Sequence, residues 1–346
     1  MWILLGTYAL ASCAPAPGLA LRKPTLGALS VGGGTLDLAV PTLLLALLLF
    51  NASLGASASE LRRLLRTPKV LGVGLAANIA LPLAFTLLAS VALASWHNPD
   101  ELQALLVGLA LVSSMPIAGS STAWSQNADG NLALSLSLVL ASTLASPLST
   151  PLALDTIANV TSGHYSKDLH DLAAGDAQLF LAVAVVAPTI LGMGVHRLVG
   201  KERLSRVMPG IKLLNIAVLL VLNYSNASVS LPRLVQNPDW DLLLLVFAVV
   251  ATLCALAFYA GHLVAKITKA SPPERVSMIF GLGMTNNGSG LVLATTALAD
   301  YPNVLLTIVA YNIIQQIAAA IFDHVSLRRQ TPRAGSLPRT AAGQTS

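Results

Sequence analysis

The stretch Met278-Ile-Phe-Gly-Leu-Gly-Met-Thr-Asn-Asn-Gly-Ser-Gly-Leu-Val-Leu-Ala294 decides how this chain folds. Both of its ends are apolar and it is long enough to lie in a bilayer, but Thr285-Asn-Asn-Gly-Ser-Gly290 interrupts it. Unpaired backbone polar groups are costly in hydrocarbon, so such an interruption must be buried in protein or must line a water-filled cavity. The stretch therefore predicts a helix broken in mid-membrane, which is typical of the binding site of a secondary transporter.

The composition is that of a polytopic membrane protein. The 346 residues are 55% hydrophobic and 10% charged, with a mean hydropathy of +0.72, whereas soluble domains carry about 25% charged residues. The net charge of +5 does not indicate nucleic-acid binding, because the basic residues lie in short loops between apolar runs. We therefore expect the lipid bilayer and a small molecule as partners, and no nucleic acid.

Apolar runs of spanning length recur about ten times. They lie at about residues 2–20, 36–54, 70–95, 102–127, 131–154, 175–198, 210–230, 241–267, 275–298 and 303–322. Residues 325–346 are rich in Arg, Pro, Ser and Thr, and we predict a disordered cytoplasmic tail there. The prediction for residues 1–324 is an all-α membrane transporter domain with ten transmembrane helices.

The basic residues predict the orientation of the ten spans. With a cytoplasmic N-terminus, the outer loops hold Arg22, Lys23, Lys167 and Arg233, and the remaining 16 of the 20 Lys and Arg residues lie on the inner side. Because cytoplasmic loops carry an excess of Lys and Arg, we predict a multi-pass protein of the inner (plasma) membrane of the cell, with both termini cytoplasmic.

The spans also divide into two halves of five. In the first half the fourth span is interrupted by Ser113-Ser-Met-Pro-Ile-Ala-Gly-Ser-Ser-Thr122, and in the second half the fourth span is interrupted by the opening stretch. Since five is odd, the halves enter the membrane from opposite sides. This predicts two inverted five-helix repeats whose discontinuous helices 4 and 9 cross at mid-membrane. The alternative is that both breaks are packing kinks, since Gly, Pro and Ser are tolerated in membrane helices.

The two breaks predict a site for an organic anion or a polar zwitterion. A half-helix that begins in mid-membrane presents free backbone N–H groups and the positive end of its dipole. Two such ends bind an anion without Arg or Lys, and glycine lets a ligand approach the backbone. The predicted substrate-binding residues from the breaks are Gly119, Ser120, Ser121, Thr122, Asn287, Gly288 and Ser289.

The chain resembles the bile acid:sodium symporter family. The resemblance is carried by Pro116-Ile-Ala-Gly-Ser-Ser-Thr-Ala-Trp-Ser-Gln-Asn-Ala-Asp-Gly-Asn-Leu-Ala-Leu-Ser135, Ser142-Thr-Leu-Ala-Ser-Pro-Leu-Ser-Thr-Pro151, Leu61-Arg-Arg-Leu-Leu-Arg-Thr-Pro-Lys69, Gly283-Met-Thr-Asn286 and Tyr311-Asn-Ile313. It implies a panel domain (about 2–54 and 175–230) and a core domain (about 70–154 and 241–322). It also implies a substrate held between them, near Asn312, and transport by alternating access.

The family's cation sites carry over only in part. The resemblance implies Ser121, Thr122, Ser135, Asn78 and Thr285 as cation ligands, and we add Asn286 because a buried amide is costly to leave unpaired. The family's acidic ligand falls on Gly281, and no carboxylate lies between Glu274 and Asp300. A Na⁺ buried without a carboxylate needs unusually good neutral coordination. Sodium coupling is therefore doubtful, and no cofactor other than Na⁺ is implied.

We accordingly expect a carrier of a small organic anion. One alternative is a sodium-coupled symporter of bile-acid-like or keto-acid substrates, and another is a membrane receptor on the same scaffold that does not transport. An enzyme is not expected, because the six histidines lie in loops or near span ends, away from any nucleophile at depth. The sequence leaves the substrate and the oligomeric state open.

Overall fold

A computed structural model describes residues 2–31, 33–55, 68–236, 238–298 and 300–330. Within these residues the chain is mostly helical, with one β-hairpin. The elements are α1 (Trp2–Cys13), α2 (Ala16–Ala20), β1 (Thr25–Val31), β2 (Gly34–Ala39), α3 (Val40–Ser53), α4 (Pro68–Ala92), α5 (Pro99–Ser114), α6 (Ser120–Asn127), α7 (Leu132–Ala158), α8 (Gly163–Val199), α9 (Lys201–Gln236), α10 (Trp240–Ile267), α11 (Pro272–Gly283), α12 (Asn287–Ala297) and α13 (Pro302–Gln330).

Six of the described helices are each long and apolar enough to cross a membrane, namely α4, α7, α8, α9, α10 and α13. The apolar helices α1 and α3 are shorter, and two further helical paths, α5–α6 and α11–α12, are interrupted. Large apolar side chains such as Leu152 (69% exposed) and Leu244 (74% exposed) point outward. Exposed apolar side chains on six helices of spanning length suit lipid and not water, so the protein is a multi-pass membrane protein.

The described helices differ from the predicted spans in the middle of the chain and at its two ends. In the middle, α8 begins at Gly163 and not at residue 175, and α9 covers Lys201–Gln236 and not 210–230. The first predicted span is divided between α1 and α2, because Pro15 and Pro17 interrupt the helix. The second predicted span starts too early, since β2 continues to Ala39 and α3 begins at Val40. At the other end, α13 continues to Gln330, beyond the predicted boundary at residue 324. The rest of the predicted tail lies outside the described residues.

The hairpin before α3 was not predicted from the sequence. β1 pairs with β2 in antiparallel register, with Ala28 opposite Asp37. Gly34 packs so closely on Gly175 of α8 that a Cβ atom on Gly34 would lie 2.5 Å from the Gly175 carbonyl oxygen. The Thr35 N–H donates to Asp176 Oδ1 at 2.7 Å. The hairpin is thus tied to α8 at a point where side chains are excluded.

The two interrupted helices meet at their breaks, residues 115–119 and 284–286, which we call the crossing. The Ala118 N–H donates to Met284 O at 2.9 Å and the Asn286 N–H donates to Pro116 O at 2.8 Å. These bonds flank an antiparallel bridge between Ile117 and Thr285. Each break therefore pairs one N–H and one carbonyl freed by the other break, which helps to meet the requirement that broken backbone at membrane depth be hydrogen-bonded.

Helices of the predicted core pack on one another, α10 against α11 and α13, and α5 against α4, α7 and α13. In the predicted panel, α9 packs against α1, α2 and α3. Helix α9 also contacts α12 and α13 of the predicted core. The division into core and panel therefore stays a prediction.

Candidate functional site

A cavity of about 320 Å³ lies against the crossing. One wall comes from α1, α3 and α9 and is mostly apolar, with Leu45, Leu48 and Leu219 among its residues, although α9 also contributes Asn215 and Asn223. The opposite wall is formed by the two breaks and α13, and seven of the side chains around the cavity are carboxamides. Gly119 and Ser120 are exposed, so the cavity opens to the surface. None of the described residues that line it carries a charge.

Five of the predicted substrate-binding residues line this cavity: Gly119, Ser120, Asn287, Gly288 and Asn312. They come from three elements that are far apart in the sequence, the first break, the second break and α13. The structure thus brings together the residues that were predicted at the two helix N-termini, and Asn312 lies beside them.

The other three predicted substrate residues do not line the cavity. Ser121 and Ser289 are fully buried behind it, and neither hydroxyl has a hydrogen-bond partner among the described residues. Thr122 faces α7, where its Oγ1 accepts a hydrogen bond from Ser135 Oγ at 3.3 Å. At the start of each half-helix, therefore, only the first two residues line the cavity: Gly119 and Ser120 in one, Asn287 and Gly288 in the other.

The leading backbone amides are the free donors of the site. Among the described residues, the N–H groups of Gly119, Ser120 and Gly288 have no hydrogen-bond partner. The next amides are used, since the Ser121 N–H donates to Ala118 O at 3.1 Å and the Ser289 N–H donates to Asn286 Oδ1 at 3.2 Å. Three free donors at the positive ends of two helices therefore belong to residues that line the cavity, an arrangement that favours an anion.

Asn287 adds a side-chain donor at the same place. Its Oδ1 accepts a hydrogen bond from Thr285 Oγ1 at 3.3 Å, whereas its Nδ2 has no partner among the described residues. The residue is 1% exposed. A buried donor without a partner costs about 1–3 kcal/mol, so a ligand that accepts from this amide would remove that cost.

The second break is held by Gln315, which sequence reasoning missed. Its Oε1 accepts a hydrogen bond from the Thr285 N–H at 3.1 Å, and its Nε2 donates to Thr285 O at 3.2 Å and to Asn312 Oδ1 at 3.3 Å. The side chain is 2% exposed. The signal that was available is a carboxamide inside an apolar span, because such a group is expensive in a membrane unless it is paired.

A polar chain continues from Asn312 to two further residues that were missed. Asn312 Nδ2 donates to Tyr8 Oη at 2.7 Å, and that hydroxyl donates to Asn223 Oδ1 at 3.1 Å. Tyr8 lies on α1 and Asn223 on α9, so these bonds join the predicted panel to the predicted core directly beside the cavity. No sequence signal identifies this chain, because it depends on how three helices are rotated.

The predicted cation ligands fall into separate places. Thr122 and Ser135 are within hydrogen-bond distance of each other, and Thr285 and Asn286 lie at the crossing. Asn78 lies apart, on a smaller cavity of about 40 Å³ beside Ser113, Ser114 and Ser142. Its Oδ1 is buried and has no partner among the described residues. The predicted set therefore does not form one site, and all of its oxygens are neutral.

Comparison with known proteins agrees with the resemblance noted in the sequence. Residues 42–237 match the Sodium Bile acid symporter family. The chain is 30% identical over 221 residues to the uncharacterized protein YbaS of Bacillus subtilis (strain 168), covering 64% of this chain and 68% of that protein. It is 26% identical over 260 residues, 73% of each chain, to the uncharacterized sodium-dependent transporter YocS of the same organism. The chain belongs to the sodium bile acid symporter family.

Proposed function

We propose that this protein is a secondary transporter that moves a small organic anion across the membrane by alternating access. The observation that carries the proposal is the set of free donors on the cavity: the N–H groups of Gly119, Ser120 and Gly288 and the Asn287 amide. Together with two helix dipoles, these donors can bind a carboxylate without a buried cation. Membership of the family supports transport over a purely structural role.

We also infer the ten-span inverted repeat with cytoplasmic termini. Counting α1–α2, α5–α6 and α11–α12 as one interrupted span each, the helices give five spans before α8 and five from α8 onward. The interrupted α5–α6 and α11–α12 are then the fourth span of each half, and they cross. The basic residues support the orientation, as 16 of 20 lie on the side of the predicted cytoplasm.

The cavity walls indicate what kind of anion fits. The donors lie at the crossing, and Leu45, Leu48 and Leu219 lie on the opposite wall. A carboxylate at the crossing with a short apolar body against the leucines satisfies both. The volume of about 320 Å³ is at the lower end for small-molecule sites, which span roughly 300–1,000 Å³. A small carboxylate such as a keto acid therefore fits better than a large one.

Sodium-coupled symport is the second candidate. It is favoured by the printed name of the relative YocS, a sodium-dependent transporter, and by the buried, unpartnered Ser121 Oγ and Asn78 Oδ1. Against it stands the neutral lining of both cavities, since Na⁺ at depth is normally balanced by a carboxylate. We therefore place uncoupled or differently coupled anion transport first.

Uptake into proteoliposomes tests the proposal. The purified full chain would be reconstituted and supplied with labelled pyruvate, 2-oxoisovalerate, pantoate or taurocholate, with either a sodium or a choline gradient. Saturable uptake of a small carboxylate without sodium supports the proposal. Strictly sodium-dependent uptake establishes the second candidate instead. Binding of these compounds without flux of any of them overturns transport and favours a receptor.

A further inference from the structure

Arg22 joins three segments on the side of the crossing away from the cavity. It follows α2, its Nη1 donates to Asn226 Oδ1 of α9 at 2.9 Å, and its Nη2 donates to Thr295 O of α12 at 2.9 Å. Thr295 lies about 12 Å along α12 from Asn287, at 1.5 Å per residue. Asn226 lies about one turn beyond Asn223, the last residue of α9 that lines the cavity.

This side of the crossing is closed. Asn226 is 1% exposed, Ser230 is 0% exposed and Thr295 is 3% exposed, so the facing surfaces of α9 and α12 are packed together. On the cavity side, by contrast, Gly119 and Ser120 are exposed. A site that is open at one end and closed at the other corresponds to one of the two end states that alternating access requires.

Within the described ranges of the chain, Arg22 is bound on the closed side by hydrogen bonds to neutral groups and not by an ion pair. Both of its partners are neutral, and the ion pairs found among the described residues do not include it. Burial lowers the pKa of Arg22 to about 10, so the guanidinium stays charged at neutral pH. The charge lies near the C-terminal end of α12, where the helix dipole favours a cation.

On the closed side, one buried polar group of Asn226 is left without a hydrogen bond within the part of the chain that the structure describes. Its Oδ1 accepts the hydrogen bond from Arg22, but its Nδ2 is buried without a partner among the described residues. A residue that merely capped α12 would need the Thr295 carbonyl alone. Because the guanidinium also binds Asn226 of α9, it connects a predicted panel helix to a predicted core helix.

We propose that Arg22 is the gating residue of the transport cycle on the side opposite the cavity. Its guanidinium holds α9 against α12 while the cavity is open, and loss of the two hydrogen bonds lets that side open. The role rests on the proposed alternating-access function, but its test needs neither flux nor a known substrate, so the two can fail separately.

The test is cysteine labelling of the full chain in lipid nanodiscs, where a water-soluble maleimide reaches both faces. In a Cys13→Ser/Cys254→Ala background, Ser230→Cys reports the closed side and Ser120→Cys reports the cavity. Arg22→Gln is expected to raise the labelling rate at Ser230→Cys by about tenfold, the scale of losing charge-assisted hydrogen bonds. It is also expected to lower the rate at Ser120→Cys, because the population shifts to the other state.

The adjacent Lys23, which is exposed, supplies the matched control for loss of one positive charge. Lys23→Gln is expected to leave both rates unchanged. Asn226→Asp, which gives Arg22 a charged partner, is expected to lower the labelling rate at Ser230→Cys below the rate measured with Asn226 in place. The gating role is overturned if Arg22→Gln labels like Lys23→Gln, or if labelling rises at both reporters, since the second result means that the fold has loosened.

Discussion

The two breaks that meet at the crossing are held by different chemistry. At the first break, Ser142 Oγ accepts a hydrogen bond from the Ile117 N–H at 3.1 Å, and Thr150 Oγ1 donates to Ser114 O at 2.6 Å. At the second break a single carboxamide, Gln315, binds both the N–H and the carbonyl of Thr285. Two hydroxyl groups on α7 thus hydrogen-bond the backbone of the first break, whereas one amide on α13 hydrogen-bonds the backbone of the second.

The comparison shows what the two halves share. In each half the support comes from the helix that follows the interrupted one, α7 in the first half and α13 in the second. The position of the support is common to both halves, whereas its residue type is not. The breaks also differ in what they offer a ligand, since Gly119 and Ser120 offer backbone donors and Asn287 adds a side-chain amide.

The largest expected effect comes from removing the single support of the second break. Gln315→Met keeps the volume but leaves the buried Thr285 N–H without a partner and removes the hydrogen bond to Asn312 Oδ1. The Thr285 carbonyl keeps one donor, the Asn287 N–H at 2.9 Å. At about 1–3 kcal/mol for the orphaned N–H and about 0.5–1.5 kcal/mol for the lost bond to Asn312, we expect a loss of about 2–4 kcal/mol in the free energy of unfolding, measured in detergent. Gln316→Met on the next residue, whose Oε1 accepts one hydrogen bond from Trp124 at 3.3 Å, is the control and should cost less.

A smaller effect is expected at the first break, because its support is divided between two hydroxyls. Ser142→Ala leaves the Ile117 N–H unpaired but keeps the Thr150 bond, so we expect a loss of about 1–2 kcal/mol in the same unfolding measurement. Ser146→Ala is the matched control, since that hydroxyl donates only to Thr143 O of its own helix. A cost for Ser142→Ala equal to that of Gln315→Met would mean that the two breaks are not supported differently.

Gly119→Ala is expected to have the smallest effect on stability while still lowering transport. Gly119 has helical dihedral angles, φ −59° and ψ −29°, and a Cβ atom there would meet nothing within 4 Å. Gly119→Ala should therefore leave the free energy of unfolding unchanged or raise it by about 0.4–1 kcal/mol. Because the new methyl group enters the cavity, uptake should fall several-fold. Gly72→Ala, also in open space on α4, is the control, and equal uptake by the two variants would exclude Gly119 from the transport path.

Both breaks could be predicted from the sequence, because clustered polar residues and glycines inside an apolar run weaken a membrane helix at that point. The leading residues Gly119, Ser120, Asn287 and Gly288 followed from the same reasoning. The sequence marks Gln315 as a mid-span amide that needs a partner, but the partner could not be predicted, because helix rotation decides whether such an amide faces lipid, a backbone or a cavity.

Other parts of the molecule depend on contacts that are distant in the sequence. From the sequence alone, Arg22 is recognised only as a basic residue in a loop. Its hydrogen-bond acceptors could not be predicted, because they lie 204 and 273 residues away. The predicted cation ligands are separated for the same reason: Thr285 and Asn286 line the larger cavity, whereas Asn78 lines the smaller one.

The central claim is that the crossing binds the anion, and uptake by Asn287→Ala tests it most directly. The control is Leu244→Ala, at a side chain that is 74% exposed on the outer surface of α10. With equal expression and the same labelled carboxylate, we predict that Asn287→Ala lowers uptake by about tenfold or more, as expected for a lost hydrogen bond to a charged group. Uptake by Asn287→Ala equal to that of Leu244→Ala would contradict the assignment of the site.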